Sequence, residues 1–151
     1  MDLIKVLCNC DGMSYSMAVH TSGMKDNNNV LVAIHGLTRR GSDFVAMADR
    51  FKDKYYVCCP DIVGRGDSDW LDSTIKSKYG VPQYIKDIQQ FLISMEKEKS
   101  GRNYYFFGTS MGGLISIDLF AALIRGECEV GVPPITSIKG LILNDIGPCI
   151  E

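Results

Sequence analysis

One segment constrains the fold more than any other: an apolar run that leads directly into a serine flanked by glycines. Residues 104–113 read Tyr-Tyr-Phe-Phe-Gly-Thr-Ser-Met-Gly-Gly. A serine at a sharp turn between a strand and a helix is forced into strained backbone dihedrals, and bulky neighbours two positions away would collide with it. Gly108 and Gly112 relieve that crowding and leave the hydroxyl of Ser110 open to a substrate. The pattern predicts a nucleophile elbow with Ser110 at its tip.

Two earlier apolar runs also end in glycine-containing loops, which indicates a parallel sheet. Residues 30–34 precede His35-Gly36-Leu37, and residues 55–59 precede a loop that begins at Pro60-Asp61. Short β-branched runs of this kind are typical of strands that are buried on both faces. Because amphipathic stretches alternate with these runs, we expect a doubly wound α/β fold, with a mostly parallel sheet of about six strands flanked by helices.

Hydrophobic periodicity and turn residues predict the remaining elements. We expect a hairpin of residues 3–10 and 14–21 around Asp11-Gly12, helices starting near Ser42, at Val81 and after Ser110, a surface excursion at 69–80, and a last strand at 138–143. On the third helix, the predicted buried positions are Leu114, Ile117, Ala121 and Ile124.

Four landmarks, in order along the chain, carry a family resemblance. They are His35-Gly36, then Asp61 with Gly64, Gly66 and Ser68, then the elbow around Ser110, and last Leu143-Asn144-Asp145-Ile146-Gly147-Pro148. Over nearly its whole length, the chain resembles the α/β-hydrolase family. The resemblance implies that the strand ending at His35 lies beside the strand ending at Gly108, so that the two following loops face one crevice.

The resemblance also implies the chemistry of the site. Ser110 would attack a carbonyl to form an acyl-enzyme, and the backbone N–H groups of Met111 and Leu37 would stabilise the oxyanion. Serine at this position excludes relatives that attack through an aspartate, and it favours an ester, thioester, amide or lactone as a small-molecule acyl substrate. The alternatives are an ordinary helix N-cap for Ser110 and plain core positions for Leu37 and Met111.

The base and the acid of such a site are harder to assign. The chain contains two histidines, His20 and His35. In the resembling family a histidine at the position of His35 belongs to the oxyanion loop, so we expect a structural role for it, and we expect His20 to be remote from the site. Asp145 is a candidate for the acid, with a structural turn residue as the alternative. Asp61 is expected to hold a loop together.

In the resembling family a cap region, two further strands and the loop with the catalytic histidine follow later in the chain. We therefore expect residues 1–151 to be the N-terminal part of an α/β-hydrolase domain, nearly inactive alone because Ser110 lacks a base. An exposed edge at 138–143 predicts a complementary C-terminal fragment or self-association. The alternative is a non-catalytic remnant that keeps the fold as a ligand-binding or interaction module.

Composition argues against several other functions. A net charge of −2 gives no support for a nucleic-acid partner, and the apolar stretches are too short to span a membrane. The six cysteines lack the spacing of a zinc site, so we expect reduced thiols in a cytoplasmic protein without a metal. Residues 108–113 lack a phosphate-loop lysine and dinucleotide glycine spacing, so no cofactor is expected. Arg39 and Arg40 could attract an anionic substrate, although a solvated loop is the default interpretation.

Overall fold

The fold is built on a single sheet of six strands, in a computed structural model that describes residues 1–145. The strands are β1 (Asp2–Cys10), β2 (Met13–Ser22), β3 (Asn29–Ile34), β4 (Tyr56–Pro60), β5 (Asn103–Thr109) and β6 (Ile138–Asn144). They lie in the order β1-β2-β4-β3-β5-β6. The three pairings among β4, β3, β5 and β6 are parallel, whereas the β1–β2 hairpin joins β4 in antiparallel fashion. The predicted α/β architecture is confirmed.

Helices cover the two faces of the sheet unequally. They are α1 (Val45–Phe51), α2 (Val81–Glu98) and α3 (Met111–Arg125), with short 3-10 turns at Gly41–Phe44, Ser73–Lys78 and Ile135–Ser137. Helices α2 and α3 bury one face in the larger core, while α1 covers only part of the other face. Cys58 and Cys59 lie in opposite cores, because successive strand residues point to opposite faces. No helix within residues 1–145 combines the length and the apolar composition that a bilayer crossing requires.

One expectation about α3 is wrong. Ile117 and Ile124 of the predicted stripe are exposed, and Leu114 and Ala121 are half-buried; the buried residues of α3 are Met111, Gly112, Gly113, Ile115, Ser116 and Leu119. The helix is apolar almost all round, so periodicity alone does not select the face that packs on the sheet. The rotation of α3 is instead set at its first turn, where Gly112 contacts the backbone of β3.

The helix starts also differ in detail from the sequence-based expectation. The segment before α1 begins as a 3-10 turn at Gly41, and the carboxylate of Asp43, rather than the hydroxyl of Ser42, accepts a hydrogen bond from the Arg40 N–H (3.3 Å). The predicted surface excursion contains a 3-10 segment that Asp72 starts, by accepting the N–H of Thr74 (2.8 Å). In both cases a carboxylate satisfies a backbone N–H at a helix start.

The loop after β4 is held together by the buried carboxylate of Asp61, as predicted. The carboxylate accepts hydrogen bonds from the N–H groups of Gly41 (2.6 Å) and Asp67 (2.8 Å), and it pairs with Nε2 of His20 (2.9 Å). Gly66 has a φ of 54°, and a Cβ at that position would collide with the same carboxylate. Aspartate and glycine are therefore required here by the geometry of the loop.

A second buried carboxylate, Asp87 on α2, faces the β1–β2 hairpin. Its Oδ1 accepts hydrogen bonds from the hydroxyl of Tyr15 (2.5 Å) and from Nε2 of Gln83 (3.0 Å). Its Oδ2 has no hydrogen-bond partner within residues 1–145. Burial raises the pKa of Asp87 from 3.8 to about 6, although hydrogen bonding from Tyr15, Gln83 and the thiol of Cys8 opposes that shift.

We expect the Asp87→Asn substitution to stabilise the protein above about pH 6. The pKa of Asp87 is higher in the folded state than in the unfolded state, so between pH 3.8 and about 6 the folded protein binds a proton that the unfolded chain has lost. The free energy of unfolding therefore falls as the pH rises through about 6. The shift corresponds to at most about 3 kcal/mol of unfolding free energy. Urea unfolding at about pH 5 and about pH 8 measures it, with the exposed Asp118→Asn as the control. A variant that is no more stable than the wild type at the higher pH would disprove this assignment.

Candidate active site

Ser110 lies at the junction of β5 and α3 in a strained backbone conformation, with φ at 50° and ψ at −116°. A positive φ is costly for a residue other than glycine and persists only where the surroundings impose it. The Ser110 N–H donates to the carbonyl of Asn144 at the end of β6 (2.9 Å), and its carbonyl accepts from the Gly113 N–H (2.8 Å). Ser110 is half-buried and occupies the N-cap position of α3, but its hydroxyl accepts no capping hydrogen bond from the helix, unlike that of an ordinary N-cap serine.

The two flanking glycines make this turn sterically possible. A Cβ at Gly108 would lie 2.7 Å from the carbonyl oxygen of Gly112 and from the backbone of Gly113. A Cβ at Gly112 would lie 2.6 Å from the carbonyl carbon of Ile34. Neither clash could be relieved by a side-chain rotation, because the opposing atoms belong to the backbone. The elbow therefore depends on close contact between α3 and the end of β3.

The loop after β3 lies directly beside the nucleophile position. Strands β3 and β5 pair in parallel, with Ile34 opposite Gly108, as the sequence predicted. A Cβ at Gly36 would lie 3.6 Å from both the Cβ of Ser110 and the carbonyl oxygen of Thr109. Two loops that are distant in sequence thus meet at the carboxyl ends of neighbouring parallel strands, which is where open α/β sheets bind their ligands.

Leu37 and Met111, the predicted oxyanion donors, have different surroundings. Met111 is the first residue of α3 and its side chain is buried in the larger core, whereas Leu37 is exposed and lines a recess with Trp70 and Tyr79. No hydrogen bond within residues 1–145 uses the backbone N–H of either residue. The N–H of Met111 lies in the first turn of a helix, where backbone N–H groups have no acceptor within the helix.

Arg65 fixes the loop that carries Leu37, a role that sequence analysis missed. Its Nε donates to the carbonyl of Leu37 (3.1 Å), and its Nη1 donates to the carbonyl of Val63 and the hydroxyl of Tyr84 (both 3.0 Å). The guanidinium also lies 5.1 Å from the ring centroid of Tyr84. An arginine between two glycines was visible in the sequence, but its acceptor lies 28 residues away and only the fold brings them together.

Both histidines have structural partners. Nε2 of the buried His35 accepts the N–H of Ile62 (3.0 Å), so Nδ1 carries the proton and donates to the carbonyl of Gly36 (2.7 Å). Burial lowers the pKa of His35, which keeps the ring neutral. His20 lies on β2, and its ring pairs with the carboxylate of Asp61. Strands β4 and β3 lie between β2 and β5 in the sheet. The structural role predicted for His35 is confirmed, since both of its ring nitrogens are hydrogen-bonded to the backbone.

Asp145 directly follows β6 at the same edge of the sheet. It is exposed and has a φ of 58°, and its neighbour Asn144 accepts the hydrogen bond from the Ser110 N–H. Its role as the catalytic acid stays a prediction. The remaining residues of this landmark, 146–148, lie outside the described residues.

One group in the described part of the chain combines residue types that could hold a metal ion. Ligand atoms of His20, Asp61 and Asp67 lie within 4.8 Å of one another. Both oxygens of Asp61 already accept backbone N–H groups, and a cation would compete with those hydrogen bonds. We assign this group to the structure of the loop.

The strand order, the elbow and the adjoining loop together define an α/β hydrolase, and comparisons with known proteins agree. The family model described as "Serine aminopeptidase, S33" matches residues 25–132. A 3-hydroxybutyrate-oligomer hydrolase from Cupriavidus necator is 40% identical over 134 residues, which cover 89% of this chain and 40% of that protein. The chain therefore belongs to the serine aminopeptidase S33 family of α/β hydrolases.

Solved structures show the same fold. A candidate hydrolase from Rickettsia typhi has a TM-score of 0.76 at 27% identity, covering 97% of this chain and 49% of its own. An α/β hydrolase from Novosphingobium aromaticivorans has a TM-score of 0.67 at 28% identity, covering 97% of this chain and 45% of its own. The chain thus spans less than half the length of each of these relatives.

Proposed function

We propose that the chain forms the nucleophile-bearing part of a serine hydrolase that cleaves carboxylic ester-type bonds through an acyl-enzyme on Ser110. The observation that carries this proposal is the strained backbone of Ser110, whose hydroxyl caps nothing and lies beside the loop of Gly36. Strain of this kind is retained where it presents a reacting group. The backbone N–H groups of Leu37 and Met111 would stabilise the negative oxygen of the tetrahedral intermediate.

In the proposed reaction, Oγ of Ser110 bonds to the ester carbonyl carbon while its proton passes to a base. The carbonyl oxygen takes up the negative charge and is held by the two backbone donors. The C–O bond to the alcohol then breaks, the alcohol leaves with the proton, and water repeats the sequence to release the acid. Asp145 is our candidate for the acid that orients the base, because it lies beside the elbow at the end of β6.

The 40% identical relative, whose name specifies oligomers of 3-hydroxybutyrate, supports an ester of this kind as the substrate class. Such oligomers are linear esters of a hydroxy acid, and they contain the bond that a serine nucleophile of this kind attacks. We therefore propose a small-molecule oligoester as the acyl substrate of the protein to which this chain contributes.

A histidine base must come from outside this chain, since both of its own histidines are engaged elsewhere. We propose that a complementary C-terminal segment supplies it and packs on the apolar surface next to β6. Within residues 1–145, β6 pairs only with β5, and Ile142 is 60% exposed. A groove of about 740 Å³ lies between α1 and these strands, lined by residues such as Phe44, Tyr105 and Leu141. The greater length of the relatives favours such a segment over a second copy.

The proposal predicts that the chain alone is nearly inactive and that its complement restores activity. We expect p-nitrophenyl butyrate hydrolysis to rise at least about a thousandfold when the chain is co-expressed with the segment encoded downstream of it, because that segment adds the base. The same pair carrying Ser110→Ala is the control. If the segment brings no gain and a fluorophosphonate does not label Ser110, the alternative of a non-catalytic ligand-binding module would be favoured.

We further propose a cytoplasmic location, on the basis of the thiols. Cys8, Cys10, Cys58 and Cys59 are free and buried, and Cys128 is free and half-buried. Burial raises the pKa of Cys59 to about 12, so this thiol packs as a small apolar group. Free cysteines in this number suit a reducing compartment.

A further inference from the structure

We propose that Arg39, which lines a recess beside the elbow, binds the terminal carboxylate of the ester substrate, one ester unit from the bond that is cleaved. This inference rests on the proposed function and specifies which end of an oligoester enters the site. It predicts that a free acid is preferred over its neutral ester and that the unit at the carboxylate end is released.

Arg39 and Ser110 flank the same glycine. A Cβ at Gly36 would lie 3.8 Å from Cγ of Arg39 and 3.6 Å from Cβ of Ser110, so the two side chains start less than about 8 Å apart. The Arg39 N–H closes the turn by donating to the carbonyl of Gly36 (3.1 Å). A recess of about 150 Å³, whose lining includes Arg39, Phe44 and Thr109, opens next to this turn.

Asp43 orients the guanidinium of Arg39 without using all of its hydrogen-bond donors. Its Nε pairs with Oδ2 of Asp43 (2.9 Å), and the same oxygen accepts the N–H of Arg40 (3.3 Å). The two terminal nitrogens of Arg39 donate no hydrogen bond to another residue in the described part of the chain. Two parallel N–H groups of a guanidinium match the two oxygens of a carboxylate, so this edge is available for bidentate binding.

The local charge favours an anion although the chain as a whole is acidic. A second recess of about 420 Å³ is lined by the side chains of Arg39, Arg40 and Arg65 and by the carboxylate of Asp43, and the carboxylates of Asp61 and Asp67 lie next to its Gly66. Arg40 has no ion pair within residues 1–145. The chain carries a net charge of −2, so the two consecutive arginines in the loop after β3, Arg39 and Arg40, are a local departure from the average. Complementary charge of this kind selects and orients a substrate more than it tightens binding.

The chemistry of a hydroxy-acid oligoester places a carboxylate at the required distance. Each linear molecule ends in one free carboxylate, and in a 3-hydroxy acid its carbon lies roughly 5 Å from the carbonyl carbon of the last ester bond. With that carbonyl at Ser110, the carboxylate falls within reach of the flexible Arg39 side chain. Cleavage there would release a single hydroxy acid as the leaving alcohol.

The test compares a charged substrate with a neutral one, using the chain together with its complementary segment. The substrates are the linear dimer of 3-hydroxybutyrate and the methyl ester of that dimer. We expect Arg39→Gln to lower kcat/KM for the free acid about tenfold, and to change kcat/KM for the methyl ester less than about threefold. Arg50→Gln, an exposed arginine on α1, is the matched control and should change neither value. Added salt should reduce the preference for the acid.

The outcomes distinguish a failure of the carboxylate site from a failure of the proposed ester hydrolysis. Equal kcat/KM values for acid and methyl ester, or an equal loss for both in Arg39→Gln, would overturn the carboxylate site while ester hydrolysis itself stands. If p-nitrophenyl butyrate and both dimers are not hydrolysed at all, the proposed function fails, and the carboxylate site fails with it.

Discussion

Replacing Ser110 with alanine is expected to lower kcat/KM for p-nitrophenyl butyrate at least about ten-thousandfold in the completed enzyme. The substitution removes the oxygen that forms the acyl-enzyme, and no other hydroxyl is held at the tip of this turn. The backbone strain does not depend on the hydroxyl, since the Ser110 N–H donates to the carbonyl of Asn144 and the Ser110 carbonyl accepts the N–H of Gly113. The variant should therefore fold as the wild type does, and the loss should appear in kcat.

Ser94→Ala is the matched control for that experiment. Ser94 is a half-buried serine on α2, and its hydroxyl donates to the carbonyl of Phe91 in the same helix (2.7 Å). We expect its activity to stay within about twofold of the wild type. If Ser110→Ala kept more than a tenth of the activity, another group would have to be the nucleophile.

Replacing Gly112 with alanine is expected to destabilise the protein by more than about 3 kcal/mol or to prevent folding. The added methyl group would enter the backbone of Ile34, and neither partner can move away without separating α3 from β3. Urea unfolding of the purified chain measures the effect, and its soluble yield on expression reports an outright failure to fold.

Gly140→Ala provides the comparison for this substitution. A Cβ at Gly140 would lie 3.4 Å from Cδ1 of Tyr105, which is an ordinary contact with a side chain that can adjust. We expect a change in unfolding free energy within about 1 kcal/mol. If the two alanine variants were equally stable, the close packing of α3 on β3 would not be what holds the elbow.

The parts of the site that could be predicted from sequence are those in which backbone geometry dictates the residue type. Gly108 and Gly112 are needed because any Cβ would enter a neighbouring backbone, and that requirement is visible as a spacing around Ser110. The pairing of β3 with β5 followed from a resemblance over four landmarks, and the observed register confirms it. Asp61 and Gly66 could be predicted for the same reason, since the Asp61 carboxylate occupies the space that a side chain at position 66 would need.

What could not be predicted depends on partners that only the folded chain brings together. The buried face of α3 is chosen by the contact of Gly112 with β3, and an almost uniformly apolar helix gives no signal of that choice. Arg65 reaches the carbonyl of Leu37 across two loops. Because the acceptor is a backbone carbonyl, the residue type at position 37 gives no indication of this hydrogen bond.

Trapping the acyl-enzyme tests most directly whether Ser110 is the nucleophile. The chain and its complementary segment are mixed with p-nitrophenyl butyrate, quenched in acid during turnover and digested with trypsin. We predict a butyryl group on the peptide of residues 103–125, located at Ser110 and absent from the Ser110→Ala variant. Ester turnover without this adduct, or a butyryl group on a different residue, would contradict a mechanism through Ser110.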